Sequence, residues 1–340
     1  MPNLAKRSRN NFWPAFFSLA VFLHAAAPVL FSAETSSLRK ISFATSWQPQ
    51  AQFAGFYAAL EKGIYKKHGL DVTILHGGPD CSPYDSLVSG KADVAILWLA
   101  FGIEKRAQQV PLVNIAQIVQ RSALMLVAKK ASGIETPGDI AGKKVGLWDE
   151  IYQIQPKAFF KKYGVQPVII SQASSVNLFL RDGVDISSAM WYNEYHTILN
   201  AGYDPEELTL FFFYEHGLNF PEDGLYALEE KLLKDPARYA AFTKASFEGW
   251  KYAFEHPEEA LKIVLKRMKK AHLPANYVHQ KWMLARMKDL IVPQEKNRSI
   301  GTLAAQEYNR TAEVMKESGV IAQIPPLNEF YRFEGSHREK

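Results

Sequence analysis

The chain has 340 residues, 47% of them hydrophobic and 22% charged, which is enough apolar material for two α/β domains of ordinary size. Its formal charge is +5, but no basic stripe with interleaved aromatic residues is present, so nucleic acid is not an expected partner. The single cysteine, Cys81, excludes an internal disulfide and a cysteine-based metal site.

Residues 1–33 begin with basic side chains and continue with an apolar run. This pattern predicts a secretory signal peptide and export to the periplasm or the extracellular space. An uncleaved membrane anchor remains an alternative, although the run is short and is interrupted by Pro14 and Pro28. In an exported chain we expect the lone Cys81 to be buried as a small apolar residue.

Residues 40–74 predict a strand, a helix and a second strand. Ile41 and Phe43 alternate with polar residues, as in a half-buried strand. An apolar stripe at helical spacing follows: Phe53, Phe56, Tyr57, Leu60 and Ile64. Gly69 comes after a cationic turn, which is typical of a helix end. The resulting βαβ unit predicts a parallel first sheet.

Ligands of parallel α/β sheets bind beyond the carboxyl ends of the strands. This rule brings Trp47, Gln48 and Gln52, which follow the first strand, to the mouth of a site. Tyr57 lies on the apolar stripe of the next helix, so a core position is favoured, although its hydroxyl could reach the site.

Two further tryptophans end predicted strands. Trp98 closes a buried strand over residues 93–99, and Trp148 closes one over residues 144–148. From Ser122 onward, strands alternate with helices, which predicts a second α/β lobe. A tryptophan at a strand end is also compatible with core packing, so each of these residues has two interpretations, a ligand contact or a core residue.

The segment Met190-Trp191-Tyr192-Asn193-Glu194-Tyr195-His196 ends another predicted strand. Its rings offer flat faces for a planar heteroaromatic guest. The amide of Asn193 and the carboxylate of Glu194 offer hydrogen bonds, and a charged partner contributes about 1.5–3 kcal/mol. Glu194 could instead cap its own helix, and His196 is expected at the surface or as a cap. No Ser/His/Asp order, zinc spacing or paired-carboxylate motif is present in the sequence.

Residues 217–230 return the chain to the first lobe, and the remainder is mainly helical. Stripes around Trp250 and Trp282 predict core positions for both rings. Residues 299–317 predict another helix, and residues 326–340 are expected to be a loose tail.

Four stretches in order, WQPQAQFAGFYAALEKGIYKKHGLDVTI, GKADVAILWL, IAGKKVGLW and DISSAMWYNEYH, carry a family resemblance. They resemble the periplasmic solute-binding proteins of ABC transporters in the thiamine-pyrimidine-synthase-like branch, and more distantly the sulfonate and taurine binders. The resemblance implies a type II periplasmic-binding fold with two α/β lobes, a hinge and a C-terminal helical segment. Its expected ranges are 38–121 with 225–325 for the first lobe and 122–224 for the second.

In this family, pyrimidine-precursor binders stack a tryptophan of the first strand end on the aminopyrimidine and oppose it with an acidic residue of the second lobe. The resemblance carries these roles to Trp47 and Glu194, with Trp191 and Asn193 as neighbours. It implies a monomer that delivers a small planar nitrogenous compound, such as a thiamine pyrimidine precursor, to a membrane permease. No cofactor, metal or catalytic residue is expected.

Three alternatives stay open. An alkanesulfonate or similar anion would need an arginine in the cleft, for which Arg121 and Arg181 are candidates. An enzyme of the same fold would make or cleave a pyrimidine precursor, but the related eukaryotic synthases use a histidine and a cysteine-rich iron motif that this sequence does not match. A sensor domain with no permease is the third.

Overall fold

A computed structural model of the protein describes residues 10–11, 37–294 and 298–333. The predicted signal peptide, residues 1–33, lies outside this part of the chain except for positions 10 and 11. Among the described residues, no helix is long and apolar enough to span a bilayer.

The described chain alternates strands and helices as the periodicity predicts. The strands are β1 (Arg39–Ala44), β2 (Leu70–Leu75), β3 (Val94–Trp98), β4 (Leu112–Gln117), β5 (Leu124–Lys129), β6 (Lys144–Leu147), β7 (Val168–Ser171), β8 (Ile186–Met190), β9 (Leu208–Phe212) and β10 (Asp223–Leu228). The helices are α1 (Ala54–Glu61), α2 (Ile64–Lys67), α3 (Pro83–Val88), α4 (Leu99–Ala107), α5 (Ile154–Tyr163), α6 (Asn177–Leu180), α7 (Glu194–Asn200), α8 (Glu229–Lys234), α9 (Pro236–Glu255), α10 (Pro257–Lys270), α11 (Tyr277–Ile291), α12 (Ala305–Glu317) and α13 (Leu327–Phe330).

The strands form two five-stranded sheets, one in each lobe. The first has the order β2-β1-β3-β10-β4, and the second has the order β7-β6-β8-β5-β9. This is the two-lobed α/β architecture that the sequence predicts. The residue ranges proposed for the lobes stay a prediction.

The prediction of a parallel first sheet is wrong in one respect. Strands β1, β2 and β3 are parallel, but β10 runs antiparallel to both β3 and β4. The reason is that β10 is the returning segment, which enters the first sheet from the second lobe. Its first residue, Asp223, therefore lies at the same sheet edge as the last residues of its parallel neighbours.

Close packing of two helices stabilises the first lobe beside the carboxyl edge of its sheet. Helices α1 and α9 approach each other through glycines: a Cβ on Gly249 would lie 2.3 Å from the carbonyl oxygen of Gly55. A Cβ on Gly55 would lie 2.2 Å from the ring of Trp250, which is fully buried as predicted. Because α1 directly follows the Trp47 loop, this contact anchors the loop against the core.

The two lobes are joined by two crossing segments, residues 118–123 and 217–222. The Glu222 carboxylate ties them together by accepting hydrogen bonds from the backbone N–H groups of Ala123 (2.6 Å) and Leu124 (3.0 Å) and from the Ser122 hydroxyl (3.0 Å). Asn219 accepts another from the Ser122 N–H at 2.8 Å. This network forms the hinge.

Two expectations outside the cleft are wrong. Cys81 is exposed, because it lies in the loop after β2 where residues 78 and 81 form an isolated bridge. The segment from residue 326 to 333 is packed rather than loose: Phe330 is fully buried, and Tyr331 forms a bridge with Asn114 of β4. Residues 334–340 of the predicted tail lie outside the described chain.

Candidate functional site

The carboxyl edge of the first sheet contacts the second lobe through Trp98, and we refer to this boundary between the lobes as the cleft. Tyr152 lies on the short 3-10 turn after β6, and its ring meets the ring of Trp98 edge-on with centroids 4.6 Å apart. The ring of Trp148 contacts the same tyrosine at 6.1 Å. Trp98 of the first lobe and Trp148 of the second lobe therefore both contact Tyr152, and the convergence predicted for Trp47 and Trp191 stays a prediction.

Asp223 lies on the first-lobe side of this cleft, opposite Trp98 in the β10–β3 register. Its carboxylate accepts a hydrogen bond from Gln52 Nε2 at 2.6 Å and one from the Ser46 hydroxyl at 3.4 Å. Gln52 is itself held by Gln50 at 2.6 Å. Burial raises the pKa of Asp223 to about 6, although both hydrogen bonds act in the opposite direction.

Glu194 lies on the second-lobe side, at the start of α7. Its carboxylate accepts from the Met190 N–H at 2.9 Å and from the Asn193 side-chain amide at 2.7 Å. Burial raises the pKa of Glu194 to about 7, and these hydrogen bonds lower it. Neither of these two bonds caps α7, because Met190 belongs to β8 and Asn193 donates from its side chain. Both are compatible with a second role toward a ligand, because a carboxylate has further lone pairs.

Tyr192 lies near the carboxylates of Asp223 and Glu194. It is buried, and its pKa is raised well above the ordinary value, first by burial and then by the nearby charges of Glu222, Asp223 and Glu194. Partial desolvation and the charges of Asp223 and Glu222 also raise the pKa of Tyr152 to about 12, although 38% of this residue is exposed. The buried Tyr192 and the buried carboxylates of Asp223, Glu222 and Glu194 therefore lie near one another away from water.

The other sequence-predicted residues are distributed around this space. Trp47, Gln48, Trp98, Trp148, Trp191 and Asn193 are half-buried, whereas Gln52 and Glu194 are buried. The Trp148 indole donates to the Ala173 carbonyl at 3.1 Å. Gln48 lies beside Gly78 of the neighbouring loop. As ligand contacts, all of these side chains stay predictions.

Two predicted contacts have strong protein partners of their own. Tyr57 is fully buried, with the guanidinium of Arg267 over its ring at 4.7 Å. The ring of Trp191 lies under the guanidinium of Arg286 at 4.7 Å, and Phe212 packs edge-on against it at 5.7 Å. Arg121, a candidate anion ligand, lies over the ring of Tyr214 at 4.7 Å.

Two expectations about α7 and α11 are wrong. His196 is buried rather than at the surface: its ring stacks on Trp282 with centroids 4.9 Å apart, and its Nδ1 lies 2.9 Å from Nδ1 of His279. Trp282 is not a core residue of one lobe. It is half-buried where α11 meets the second lobe, because α11 crosses the cleft.

Sequence reasoning missed Asp223, Tyr152 and His279. The acidic pair Glu222-Asp223 inside an otherwise apolar returning segment was the available signal for Asp223, since a buried acid needs partners. Nothing local distinguishes Tyr152 or His279. In the described part of the chain, no group of three or more His, Cys, Asp and Glu side chains is arranged to hold a metal ion.

This arrangement has the chemistry of a recognition site. Half-exposed indole rings can stack on a planar guest, and two buried carboxylates from opposite lobes can accept hydrogen bonds from amines or from a protonated ring nitrogen. A guest with donor groups on two edges would satisfy both carboxylates.

Comparison with known proteins identifies the family of the chain. The sequence model of the family described as NMT1/THI5 like matches residues 50–260. A formylaminopyrimidine-binding protein of Halalkalibacterium halodurans is 22% identical over 265 residues, which cover 75% of this chain and 79% of that protein. A 4-amino-5-hydroxymethyl-2-methylpyrimidine phosphate synthase of Saccharomyces cerevisiae is 30% identical over 132 residues, but these cover only 38% of this chain and 39% of the synthase.

The fold has solved counterparts. The crystal structure of the periplasmic aliphatic sulphonate-binding protein of Escherichia coli superposes with a TM-score of 0.62 at 16% identity, covering 86% of this chain and 96% of that one. This likeness concerns the fold alone. The chain therefore has the periplasmic-binding-protein fold and belongs to the NMT1/THI5-like family.

Proposed function

We propose that the protein is the solute-binding component of an ABC importer and that it binds a small planar nitrogenous compound, such as a thiamine pyrimidine precursor, in the cleft between its lobes. The observation that carries this proposal is that two buried carboxylates from opposite lobes, Asp223 and Glu194, lie near enough to the buried Tyr192 for the charges of both to raise its pKa. The similarity to a formylaminopyrimidine-binding protein over most of both chains supports the same ligand class.

Energetics support a site of useful affinity. Two ring contacts at about 0.5–1.5 kcal/mol each and one charge-assisted hydrogen bond at about 1.5–3 kcal/mol add to the burial of the guest's ring. Together these terms approach the roughly −8 kcal/mol of a micromolar complex. The expected place of action is the periplasm or the extracellular space, with a membrane permease as the partner that receives the closed form.

An anion such as an alkanesulfonate is the second candidate, because the sequence also resembles the sulfonate binders more distantly and contains the arginines Arg121 and Arg181. The buried carboxylates argue against it, because an anion beside Asp223 and Glu194 would be repelled. Arg121 is engaged with Tyr214, and Arg181 is exposed at the end of α6. A synthase activity is less well supported, because the similarity to the yeast enzyme covers little more than a third of either chain.

Calorimetric titration of the purified protein with formylated and free aminopyrimidines tests the proposal, with an alkanesulfonate as the comparison ligand. We expect micromolar binding of at least one aminopyrimidine. Glu194→Gln should weaken that binding about tenfold to a hundredfold, because a charge-assisted hydrogen bond is lost while the amide still accepts from Met190. The same variant should leave alkanesulfonate binding unchanged or stronger.

Glu135→Gln is the matched control, since Glu135 is an exposed acid of the same lobe that takes part in none of the contacts described above. Its affinities should equal those of the wild type. Absence of heat and of thermal stabilisation with every aminopyrimidine would overturn the ligand class. Loss of alkanesulfonate binding in Glu194→Gln would overturn the role of the carboxylate.

A further inference from the structure

Helix α11 touches both lobes. One side of it is fixed to the first lobe, where Gln280 Oε1 accepts from the Ala51 N–H at 2.7 Å and Met283 Sδ lies 3.2 Å from the Gln52 nitrogen. These bonds attach α11 to the short 3-10 turn that carries Gln52, beside the cleft. The helix therefore moves with the first lobe.

The other side of α11 reaches the second lobe. His279, Trp282 and Arg286 follow one another at spacings of three and four residues, so they share one helix face. We call these three side chains the α11 latch. His279 Nε2 lies 2.9 Å from Asn193 Oδ1, and the Trp282 indole donates to the Trp191 carbonyl at 3.0 Å. Arg286 lies over the Trp191 ring at 4.7 Å.

Hydrogen-bond roles along this contact are fixed by the carboxylate at its end. Glu194, when ionised, can only accept, so Asn193 donates to it with its amide nitrogen. The Asn193 oxygen must then accept, and His279 must donate from Nε2. A neutral His279 consequently has a bare Nδ1, 2.9 Å from His196 Nδ1. The Asn200 side-chain amide lies 3.0 Å from the same His196 nitrogen, so His196 donates to His279 when this amide turns its oxygen, and not its NH2 group, toward His196. One chain of bonds thus runs from α11 to Glu194.

We propose that the α11 latch holds the lobes closed and that His279, acting through Asn193, is a positioning residue for the Glu194 carboxylate. The inference rests on the proposed function, in which Glu194 meets the ligand. It goes further in assigning the orientation of Glu194 to a helix of the opposite lobe, so that the second-lobe half of the site is complete only on closure.

Acid should open the latch. Neutral His279 and His196 share one hydrogen between their Nδ1 atoms, whereas a doubly protonated pair would bring two N–H groups together at 2.9 Å. Burial, and secondarily the neighbouring His196, lower the pKa of His279 to about 4, and burial also lowers the pKa of His196.

Other charged groups near the pair are few. Glu194 lies behind Asn193, and Arg286 lies on the same helix face. Glu258 of α10 pairs with Tyr277 and Lys281 of α11. The Glu194 carboxylate titrates in a similar pH range, so its effect has to be separated from that of the histidines by comparing variants that all retain it.

The test uses two histidine variants. His279→Ala removes the donor, and we expect the affinity for the best-binding aminopyrimidine to fall about tenfold at pH 7.5. His279→Gln keeps an N–H donor at the position of Nε2 but does not titrate, so it should bind within about threefold of wild type. The affinity of the wild type should decline between pH 7 and 5 because of both the histidines and Glu194. His279→Gln retains Glu194, so its affinity should decline less, and the difference from wild type should equal the contribution of the histidines. His272→Gln, an exposed histidine near α11, should behave as wild type in every measurement.

A second readout needs no ligand. Fluorescent labels on the exposed Cys81 of the first lobe and on an Arg181→Cys substitution in the second lobe report the distance between lobes by energy transfer. In the free protein we expect transfer to decrease as the pH falls from 7 toward 4, to be low at every pH in His279→Ala, and to change least in His279→Gln.

The two readouts separate the failure of the latch from the failure of the proposed function. Acid opening that depends on His279, without binding of any aminopyrimidine, would support the latch and overturn the ligand class. Binding and energy transfer that are equal in His279→Ala and wild type would overturn the latch. If the alanine variant does not fold, an unchanged pH profile in His279→Gln would do the same.

Discussion

The two sheet edges that meet at the cleft are held in different ways. On the first lobe, Asp223 is bonded to Gln52 and Ser46 of its own lobe, so this half of the site needs no help from the other. On the second lobe, the segment carrying Trp191 and Glu194 is held from outside by α11. One side of this two-lobed site is thus preformed, whereas closure assembles the other side.

This difference suggests an order of events. A ligand would first meet the preformed edge with Asp223, where hydrogen-bond partners are already arranged. Closure would then bring in Glu194 with its orientation set by α11. Ordering the second-lobe side of the site requires free energy when the lobes close. Binding energy gained at the first-lobe side can offset this requirement.

The largest effect should come from breaking the hinge that relates the two edges. Glu222→Ala removes the acceptor of the buried Ala123 N–H and leaves the Leu124 N–H with only the Ser122 hydroxyl oxygen at 3.3 Å. At about 1–3 kcal/mol for the orphaned donor and about 1 kcal/mol for the weakened one, the free energy of unfolding should fall by about 2–4 kcal/mol, measured by urea denaturation.

Glu230→Ala is the control for this experiment. Glu230 is an exposed acid at the start of α8, close to Glu222 in sequence, and its removal should change stability by less than about 0.5 kcal/mol. Equal stabilities for Glu222→Ala and wild type would show that the carboxylate does not fasten the crossing segments.

The same contrast explains what could be predicted from sequence. Strand ends in βαβ units follow from periodicity, so the aromatic positions Trp98 and Trp148 were found at the edge where rings from both lobes meet. Asp223 was missed because the rule of carboxyl strand ends applies to parallel strands. It begins an antiparallel strand, which brings its first residue to the same edge.

No local sequence pattern predicts the α11 latch. His196 and His279 are 83 residues apart, and their helices belong to different lobes. Hydrophobic periodicity correctly predicts that Trp282 is on an apolar helix face, but it does not tell which lobe covers that face. Only the tertiary arrangement distinguishes a core tryptophan such as Trp250 from one at a contact between lobes.

A smaller effect should appear in the pH dependence of stability on the first edge. The pKa of Asp223 is raised to about 6 in the folded protein, above the roughly 3.9 of an unfolded aspartate. Between these values the folded state binds more protons than the unfolded state, so the Asp223 contribution to stability declines as the pH rises from about 4 to about 6 and is constant above that.

Replacing the carboxyl by an amide should remove this decline. Asp223→Asn should gain about 2–3 kcal/mol relative to wild type between pH 4 and pH 7, since two pKa units correspond to that difference. Urea denaturation at several pH values measures it, and the exposed Asp71→Asn of the same sheet should follow the wild type. A difference of the opposite sign would mean that the carboxylate is stabilised in the ionised form.

The smallest effect distinguishes a ring contact between lobes from one within a lobe. Tyr152 meets Trp98 of the first lobe at 4.6 Å and Trp148 of its own lobe at 6.1 Å. An aromatic pair contributes about 0.5–1.5 kcal/mol. Trp98→Leu should therefore lower the ratio of closed to open molecules in the free protein about twofold to tenfold. Trp148→Leu should leave that ratio unchanged, because its contact does not cross the cleft. Energy transfer between labels on the two lobes measures both variants, and equal shifts would show that closure does not depend on which lobe supplies the ring.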